Sequence, residues 1–335
     1  MWHVGIDLHR KTVVFAATND SGEVRPPIRL DCSQTAEIVR AFEQLRPFRA
    51  VIEATLAYRW LFKLLSPLGT VLLAHPLRLR AMVQRRSKTD RLDAQLLAQL
   101  LRINQIPLAY IPTDEQQMLR DITRQRARLT RSETQTKVFL RWILARHNMQ
   151  PPYACPFGPR GLYWFSRQDF GSVDNSIRDE LLARLMHYQK EIAAVDDQLK
   201  SLRTQYPQVE SLLVLHGIGL YTAMVIVGEF GEVRRFRRAK QAGAYTGLTA
   251  RIDQSGNHLY TGHITRQGSP FLRYVLVEAA MKIVHKDIGL ANFYTRIRKR
   301  SSAKIARVAT ARKLAEICWK RLMRWHREHD LAVAA

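Results

Sequence analysis

Short apolar runs of the kind that form β-strands recur before residue 112, and from about Thr113 to Tyr206 they vanish. Upstream, the runs HVGIDL, RAVIEAT and TVLLAHP alternate with the helical patterns AEIVRAFEQL and YRWLFKLLSPLG. The segment TVVFAATNDSGEVRPPIRL predicts two strands joined by a turn at residues 19–22. These patterns predict a mixed α/β layer with an antiparallel hairpin at its front.

Residues 113–206 carry helical patterns only and are predicted to form a connector. A basic helix is predicted over 114–147, where residues 120–146 hold eight Lys or Arg against two acids. A second helix is predicted to begin at the capping box SIRD, residues 176–179, and to end at Pro207. Its apolar residues, which alternate spacings of four and three, are Leu181, Leu185, Tyr188, Ile192, Val195, Leu199, Leu202 and Tyr206. This seam predicts two paired helices, within or between chains; an ordinary amphipathic helix on a core is the alternative.

The third region opens with LLVLHGIGLYTAMVIVGEFG, in which Gly217-Ile218-Gly219 joins two helical patterns. This arrangement predicts a helix-hairpin-helix whose glycines let backbone amides approach a phosphate. The final segment, from Arg296 to Arg327, contains twelve Lys or Arg, which favours phosphate contact over a solvated face alone. The predicted domains are therefore 1–112, 113–206 and 207–335.

The excess of positive charge indicates what kind of molecule the protein binds. The chain has 53 Lys and Arg against 29 Asp and Glu, a net charge of +24, which favours a polyanion. An anionic membrane is disfavoured because no run reaches ~18 apolar residues, and the start MWHVGIDLHRKTVVF is not a signal peptide. Three scattered cysteines form neither a disulfide framework nor a metal pair; they are Cys32, Cys155 and Cys318. These features predict a cytoplasmic protein whose partner is nucleic acid.

Four acids stand out against this basic background. Asp90 and Asp93 follow a basic run and lie one helical turn apart, so their carboxylates share a helix face. The alternative is a capping box from Ser87, which makes both acids ordinary residues of a first helical turn. Asp7 interrupts an apolar strand and Glu53 ends another. Acids so distributed suit two-metal phosphoryl transfer, for which Mg²⁺ is the natural ion.

Motifs at both ends of the chain resemble one known family. VGIDLHRKT, VIEAT, HPLRLRAM and SKTDRLDAQLLA resemble the RuvC-like, RNase H-fold DEDD domain of the bacterial IS110 insertion-sequence transposases. The stretch from HGIGLYTAMVIVGEFG to TRQGSPFLR resembles that family's second domain. The resemblance implies an α/β RNase H-like N-terminal domain, an α-helical coiled-coil connector and a mainly α C-terminal domain with a helix-hairpin-helix.

The resemblance also implies particular site residues. The DEDD tetrad maps onto Asp7, Glu53, Asp90 and Asp93, which would bind Mg²⁺. The family's nucleophilic serine follows the AYxGLT motif within a Ser-Gly step, here Ser255 of QSG. Ser269, in RQGSP, is the alternative because the residues around Ser255 depart from those of many relatives.

A serine hydroxyl needs activation and nearby cations, and several side chains close to Ser255 in sequence are candidates. Arg251, Arg266 and Arg273 are the candidate cations, whereas His258 and His263 are not clearly paired with the serine. Contact with nucleic acid is predicted for Gly217, Gly219, Arg251, Arg266 and Arg273. The hypothesis is a composite site that joins the carboxylates and the serine and forms a phosphoserine–DNA link.

The resemblance implies DNA as substrate, a non-coding guide RNA, a homodimer that assembles into a tetramer, and a location at the bacterial nucleoid. Two other functions stay open on the residues alone. A RuvC-like resolvase or RNase H-type nuclease would use the same four acids without a serine. A non-enzymatic nucleic-acid-binding protein would account for the charge but not for an acid within the first strand.

Overall fold

A five-stranded mixed sheet organises the first of two structural units, Met1–Ile111. Its strands are β1 Trp2–Leu8, β2 Thr12–Asn19, β3 Val24–Asp31, β4 Phe48–Glu53 and β5 Thr70–Ala74, in the spatial order β3-β2-β1-β4-β5. β2 is antiparallel to β1 and β3, whereas β4 is parallel to β1 and β5. The predicted mixed layer with a frontal antiparallel hairpin is confirmed. The computed structural model describes residues 1–55, 57–82, 89–255 and 258–334.

Helices cover both faces of this sheet. They are α1 Thr35–Glu43, α2 Tyr58–Leu65, α3 Pro76–Met82 and α4 Asp90–Arg102. One face packs on the buried residues of α1 and α2, among them Phe42 and Leu61. The opposite face packs on α3 and α4, where Val51 and Leu97 belong to the same apolar cluster. Alternation of side chains along each strand therefore decides which residues meet α4.

The second unit, Pro112–Ala335, is mainly helical. Its helices are α5 Asp114–Arg146, α6 Pro159–Arg167, α7 Ser172–Ser201, α8 Glu210–Leu213, α9 Leu220–Phe230, α10 Ala239–Tyr245, α11 Pro270–Ile283, α12 Ile288–Arg300 and α13 Ala303–Ala334. Its strands, β6 Ala250–Ser255 and β7 His258–Ile264, form an antiparallel hairpin. Helix α9 lies at the centre of the core, with every residue from Ala223 to Phe230 buried. A mixed α/β region followed by a helical region matches the predicted fold class at this level.

Helices α5 and α7 pair within one chain. Arg126 forms an ion pair with Asp196, and Arg146 forms one with Asp174, so the two helices run antiparallel. A capping box of Thr113 and Gln116 starts α5. The apolar seam predicted that the two helices of this region pair. Its members Leu181, Leu185 and Leu199 are buried.

Both predicted boundaries of α7 are wrong. α7 begins at Ser172 rather than at the SIRD capping box, because Asp169 accepts hydrogen bonds from the Gly171 amide and the Asn175 side chain, 3.0 and 2.7 Å long. It ends at Ser201, and a short 3₁₀ turn precedes Pro207. The final basic segment is divided between α12 and α13 by a break after Arg300.

Two further features differ from the sequence expectation. The Gly/Ser-punctuated stretch before α11 is a β-hairpin, because residues 250–255 and 258–264 pair in register. The first half of the predicted helix-hairpin-helix is only the single turn α8, whereas the second half is the full helix α9.

An arginine-rich contact fixes the end of α9 against α5. Arg120 donates to the carbonyl oxygens of Gly228 and Glu229 at 2.7 and 3.0 Å. Arg124 forms a bidentate pair with the Glu229 carboxylate at 2.8 and 3.0 Å. The Glu229 side chain is only 2% exposed, so this carboxylate depends on its arginine partner.

Replacing Glu229 by glutamine should destabilise the second unit by about 3 kcal/mol, because a largely buried guanidinium loses its charge partner. Urea unfolding followed by circular dichroism measures the change. Glu210→Gln is the matched control: its pair with Arg203 is about half exposed on both sides and screened by solvent, so its cost should stay far below that of Glu229→Gln. Equal losses in the two variants would contradict the assigned role of the buried pair.

Candidate active site

Two of the predicted acids lie on neighbouring strands at one edge of the sheet. Ile6 of β1 pairs with Ile52 of β4 in parallel register, so Asp7 and Glu53 occupy the next positions of adjacent strands. Residues two apart on a strand share a face, and Gly5 and Val51 both face α4. Asp7 and Glu53 are therefore on the α4 side of the sheet.

The other two acids are in the first turn of α4. The helix begins at Asp90, and the Thr89 hydroxyl caps it by accepting a hydrogen bond from the Leu92 amide at 3.3 Å. Asp90 and Asp93 are the first-turn acids, as the capping alternative also required. The cap in the structure is Thr89, whereas the predicted cap, Ser87, lies outside the described residues together with the rest of the basic run.

Gly5 sets how closely α4 approaches the sheet. A Cβ atom at Gly5 would lie 2.1 Å from the carbonyl oxygen of Ala94 and 2.4 Å from the backbone nitrogen of Ala98. Only a glycine allows this contact, in which helix backbone rests directly on strand backbone. The contact brings the start of α4 to the strand end that carries Asp7.

Asp7, Asp90 and His9 form a compact cluster at this point. One ligand atom from each lies within 4.8 Å of the others. His9 Nε2 is 3.2 Å from Asp7 Oδ2 and 3.2 Å from Asp90 Oδ1. The Asp7 side chain is 16% exposed, the Asp90 side chain 39% and the His9 side chain 50%, so the cluster is open to a ligand from solvent.

The electrostatics of Asp7 show a shortage of positive charge. Burial raises the pKa of Asp7 above its usual value, and the nearby carboxylates of Asp90 and Asp93 raise it further. His9 acts in the opposite direction but does not offset them. Arg29 Nη1 stands 4.0 Å from Asp90 Oδ2 at the rim. Two carboxylates and an imidazole around a half-buried, electron-rich point are a donor set that fits a divalent cation.

The structure brings Asp7 and Asp90 together, with Asp93 near enough to influence the pKa of Asp7. Glu53 lies at the same sheet edge but is not a member of the three-residue cluster found among the described residues. The metal-binding roles of Glu53 and Asp93 stay predictions.

Sequence reasoning missed His9 and Arg29 as members of this region. His9 lies two residues after Asp7, a spacing that keeps two side chains on one side of an extended chain. Arg29 is harder to foresee because its position depends on strand register, in which Val14 pairs with both Asp7 and Arg29.

The predicted residues of the second unit surround the β6–β7 hairpin. Ser255 is the last residue of β6 and pairs in register with His258; its side chain is outside the described part of the structure. Ser269 caps α11, since its Oγ accepts a hydrogen bond from the Leu272 amide at 3.2 Å. The alternative nucleophile thus has a structural function as a helix cap.

The arginines predicted as cations near the serine differ in hydrogen bonding and exposure. Arg273 Nη1 donates to three carbonyl oxygens, those of Thr246, Arg266 and Gly268, at 3.0–3.3 Å. Burial, aided by nearby Arg266, lowers the pKa of Arg273. Arg273 therefore braces the loop before α11, and Arg251 and Arg266 are exposed.

The two glycines of the predicted helix-hairpin-helix differ in backbone conformation and in the space around them. Gly217 has φ +82°, and a Cβ there would lie 2.6 Å from Lys282 Cβ, so this glycine is required by backbone conformation and packing. Gly219 precedes α9 with open space where a Cβ would stand. Of the two, Gly219 is the one whose surroundings leave room for a ligand.

Known proteins match both halves of the chain. A DEDD transposase profile of the IS110 type matches residues 4–149, and the profile described as "Transposase IS116/IS110/IS902 family" matches residues 209–295. The chain belongs to the IS110 family of transposases. Transposases cleave and transfer DNA strands, so membership of the IS110 family makes DNA transposition the reaction class.

Relatives match along most of their length. A probable family 20 transposase of Pseudomonas aeruginosa is 24% identical over 86% of this chain and 88% of its own. The transposase for insertion sequence element IS1328 of Yersinia enterocolitica is 24% identical over 94% and 95%. The putative transposase y4qE of Sinorhizobium fredii is 26% identical over 95% and 78%. Within the described residues, no helix of this IS110-family chain combines the length and apolar character of a membrane span.

Proposed function

We propose that this protein is a divalent-metal-dependent DNA recombinase that cuts and rejoins strands to move an insertion sequence. In this proposal the first unit is an RNase H-like domain in which Asp7, Glu53, Asp90 and Asp93 hold Mg²⁺, and Ser255 of the second unit is the nucleophile. The observation that carries the proposal is the convergence of Asp7 and Asp90, from a strand and a helix far apart in sequence, on one half-buried point.

The residues of the first unit have defined tasks in this chemistry. Bound divalent ions would stabilise the charge that develops on the phosphoryl oxygens during strand transfer. Asp7 is fixed by strand pairing and partial burial, so its carboxylate needs little reorganisation to bind a cation. Asp90 is held in the first turn of α4, and Arg29 at the rim is placed to contact a phosphate oxygen.

The covalent step would proceed at the serine. Ser255 Oγ attacks the phosphorus of a phosphodiester and loses its proton, while the bond from phosphorus to a deoxyribose oxygen breaks and that oxygen takes up a proton. The product is a phosphoserine link between protein and one DNA strand. Attack by a hydroxyl of a second strand reverses the step on the new partner, so the phosphodiester is rejoined without an energy source.

Replacing Ser255 by alanine should abolish covalent protein–DNA adducts, which denaturing gel electrophoresis of the protein with end-labelled DNA detects. Ser269→Ala is the control: it should lose about 1 kcal/mol of stability through its helix cap but still form adducts. Adducts from the Ser255→Ala protein would contradict the assignment, and their loss only in Ser269→Ala would transfer the role to that serine.

Strand exchange on plasmids that carry candidate element ends tests the reaction as a whole. The proposal predicts Mg²⁺-dependent joined products that are lost in both Asp7→Asn and Ser255→Ala. Cleavage without joining would support the RuvC-like resolvase or RNase H-type nuclease instead.

A basic surface on the second unit supports nucleic-acid binding. We call it the α12–α13 basic turn; it comprises the exposed residues Arg298, Lys299, Arg300, Lys304 and Arg307. No acid occurs in the sequence between Asp287 and Glu316, and within the described chain none of these five side chains has an ion pair. Unpaired cations on adjoining helix ends are suited to a phosphate backbone.

Changing Arg298, Arg300 and Lys304 to glutamine should weaken duplex DNA binding and reduce its salt dependence. Each phosphate contact contributes about 0.9 to the slope of log K against log salt concentration, so loss of three contacts lowers the slope by about 2–3. Fluorescence anisotropy at several salt concentrations measures the slope. The control triple changes Arg184, Lys200 and Arg203, each of which is paired with an acid. An equal fall in both triples would contradict a localised contact.

The proposal also includes a bound guide RNA and an oligomeric assembly. The net charge of +24 is sufficient for an RNA held by its backbone while base pairing reads the target. Recombination joins two DNA partners, which requires at least a dimer and is consistent with a pair of dimers. In this proposal the seam on α7 forms a coiled coil with α5 of the same chain and does not join subunits. Strand exchange with and without RNA transcribed from the element's flanks tests the guide, because a guided enzyme joins strands only when that RNA is present.

A further inference from the structure

We propose that His9 is a further protein ligand of the divalent cation beside Asp7 and Asp90, and that it shifts the preference of the site from Mg²⁺ toward Mn²⁺. This inference rests on the proposed function, since it concerns the same carboxylate site. It adds a nitrogen ligand to a set of residues that would otherwise be all oxygen.

The backbone around His9 holds the residue in place. The His9 amide donates to the Thr12 carbonyl oxygen at 2.9 Å, which closes the β1–β2 turn. The Cys32 amide donates to the Lys11 carbonyl oxygen at 2.8 Å, which ties the same turn to the end of β3. His9 is therefore presented by an anchored turn directly after the strand that carries Asp7.

His9 Nε2 hydrogen-bonds to Asp7 Oδ2 and lies equally near Asp90, and these distances also suit ligands of one shared cation. His9 Nε2 is equally far, 3.2 Å, from an oxygen of Asp7 and an oxygen of Asp90. Charge-assisted hydrogen bonds measure about 2.7–2.9 Å, and one N–H group cannot point at two oxygens in line. Two ligand atoms at right angles around a cation with bonds of about 2.1–2.2 Å lie about 3.0–3.1 Å apart, close to the separations found here.

Ligand chemistry gives the expected selectivity. Mg²⁺ binds oxygen donors in near-ideal octahedral geometry and keeps several waters, so an imidazole adds little to its affinity. Mn²⁺ shares with Mg²⁺ a preference for carboxylate ligands, but it is also the first member of the transition-metal series whose binding sites include nitrogen ligands. His9 should therefore strengthen Mn²⁺ binding more than Mg²⁺ binding.

Mn²⁺ itself is the probe for this assignment. Electron paramagnetic resonance of the full-length protein titrated with Mn²⁺ gives the affinity, and pulsed measurements detect coupling of the bound ion to a ligand ¹⁴N. Competition by Mg²⁺ gives the ratio of the two affinities. The variants are His9→Gln and Asp7→Asn. His147→Gln is the matched control, because its Nε2 contacts Asp174 at 2.8 Å on the α5–α7 pair.

Wild-type protein and His147→Gln should show ¹⁴N coupling, and His9→Gln should lose it. The affinity for Mn²⁺ should fall about tenfold or more in His9→Gln, because losses of that size follow even from changes to residues that only orient a metal ligand. The affinity for Mg²⁺ should change much less. Bound Mn²⁺ without ¹⁴N coupling, together with loss of binding in Asp7→Asn, would overturn the role of His9 and leave the carboxylate site standing. Absence of Mn²⁺ binding in wild type, or unchanged binding in Asp7→Asn, would overturn both this inference and the proposed metal site.

Discussion

Gly5→Ala is expected to displace helix α4 from the sheet and to destabilise the first unit by about 3 kcal/mol. The new methyl group would lie 2.1 Å from a backbone oxygen of Ala94, and a helix backbone cannot move aside as a flexible side chain can. Overpacking costs about 1–3 kcal/mol where side chains yield, so a backbone clash belongs at the upper end. Because α4 carries Asp90 and Asp93, the same shift should remove metal-dependent stabilisation.

Thermal unfolding with and without Mg²⁺ measures both effects of Gly5→Ala. Gly158→Ala is the control, since a Cβ there has its nearest neighbour at 3.6 Å and the backbone φ is −80°. Gly158 is the N-cap of α6, so this control should cost about 1 kcal/mol or less and keep the Mg²⁺ effect. If Gly5→Ala behaves like Gly158→Ala, the close seating of α4 does not govern the site.

Asp7→Asn should abolish strand exchange, by about 10³-fold or more, while it stabilises the metal-free fold at neutral pH. Loss of a metal ligand removes several kcal/mol of charge stabilisation in the transition state, and each 1.36 kcal/mol is tenfold in rate. The gain in stability comes from removal of an unfavourable charge. Asp7 is a half-buried carboxylate with two like charges nearby, so its ionisation works against folding.

The pH dependence of this gain has a definite sign. The pKa of Asp7 is raised in the folded state above the usual value of 3.8, so the folded protein binds this proton more tightly than the unfolded chain does. Wild-type stability relative to Asp7→Asn should therefore fall as pH rises from about 3.8 through the raised folded-state pKa, and it should stay low above that.

Unfolding midpoints between acid and neutral pH, in chelator and in Mg²⁺, measure the difference for Asp7→Asn. Mg²⁺ should raise the wild-type midpoint and leave that of the variant unchanged. Asp31→Asn serves as control, because hydrogen bonds from Ser33 lower the pKa of Asp31 and no gain is expected there. A variant that is less stable than wild type at neutral pH without metal would contradict the described electrostatics of Asp7.

The first unit was predictable because its signals are local. Apolar runs of strand length, the turn at residues 19–22 and the helical spacings fix the elements, and a carboxylate within a buried strand marks the site. Asp7 and Asp90 could be assigned to one candidate site because acids on a strand and on a later helix suit metal binding and match the tetrad of the family that the chain resembles. His9 was missed because it lies in the turn after β1. Its spacing of two from Asp7 favours the same side of the chain, but its approach to Asp90 depends on how the turn is anchored.

The second unit was harder because tertiary contacts override its local patterns. A hairpin at residues 250–264 was not foreseen, since its polar strands lack the apolar alternation that marks a strand with one buried face. The start of α7 depends on hydrogen bonds that Asp169 accepts from the Asn175 side chain and the Gly171 amide, which the SIRD motif does not reveal. Arg120 and Arg124, which sequence assigned only to a basic helix, instead bind the buried end of α9.

The most direct measurement of the central claim is the position of bound Mn²⁺ in crystals of the full-length protein, located by anomalous scattering. A peak is expected at about 2.2 Å from carboxylate oxygens of Asp7 and Asp90, at the end of β1 and the start of α4, and no peak is expected at this position in Asp7→Asn crystals. Well-ordered crystals that hold Mn²⁺ only at other sites, with Asp7 and Asp90 resolved and without metal, would contradict it.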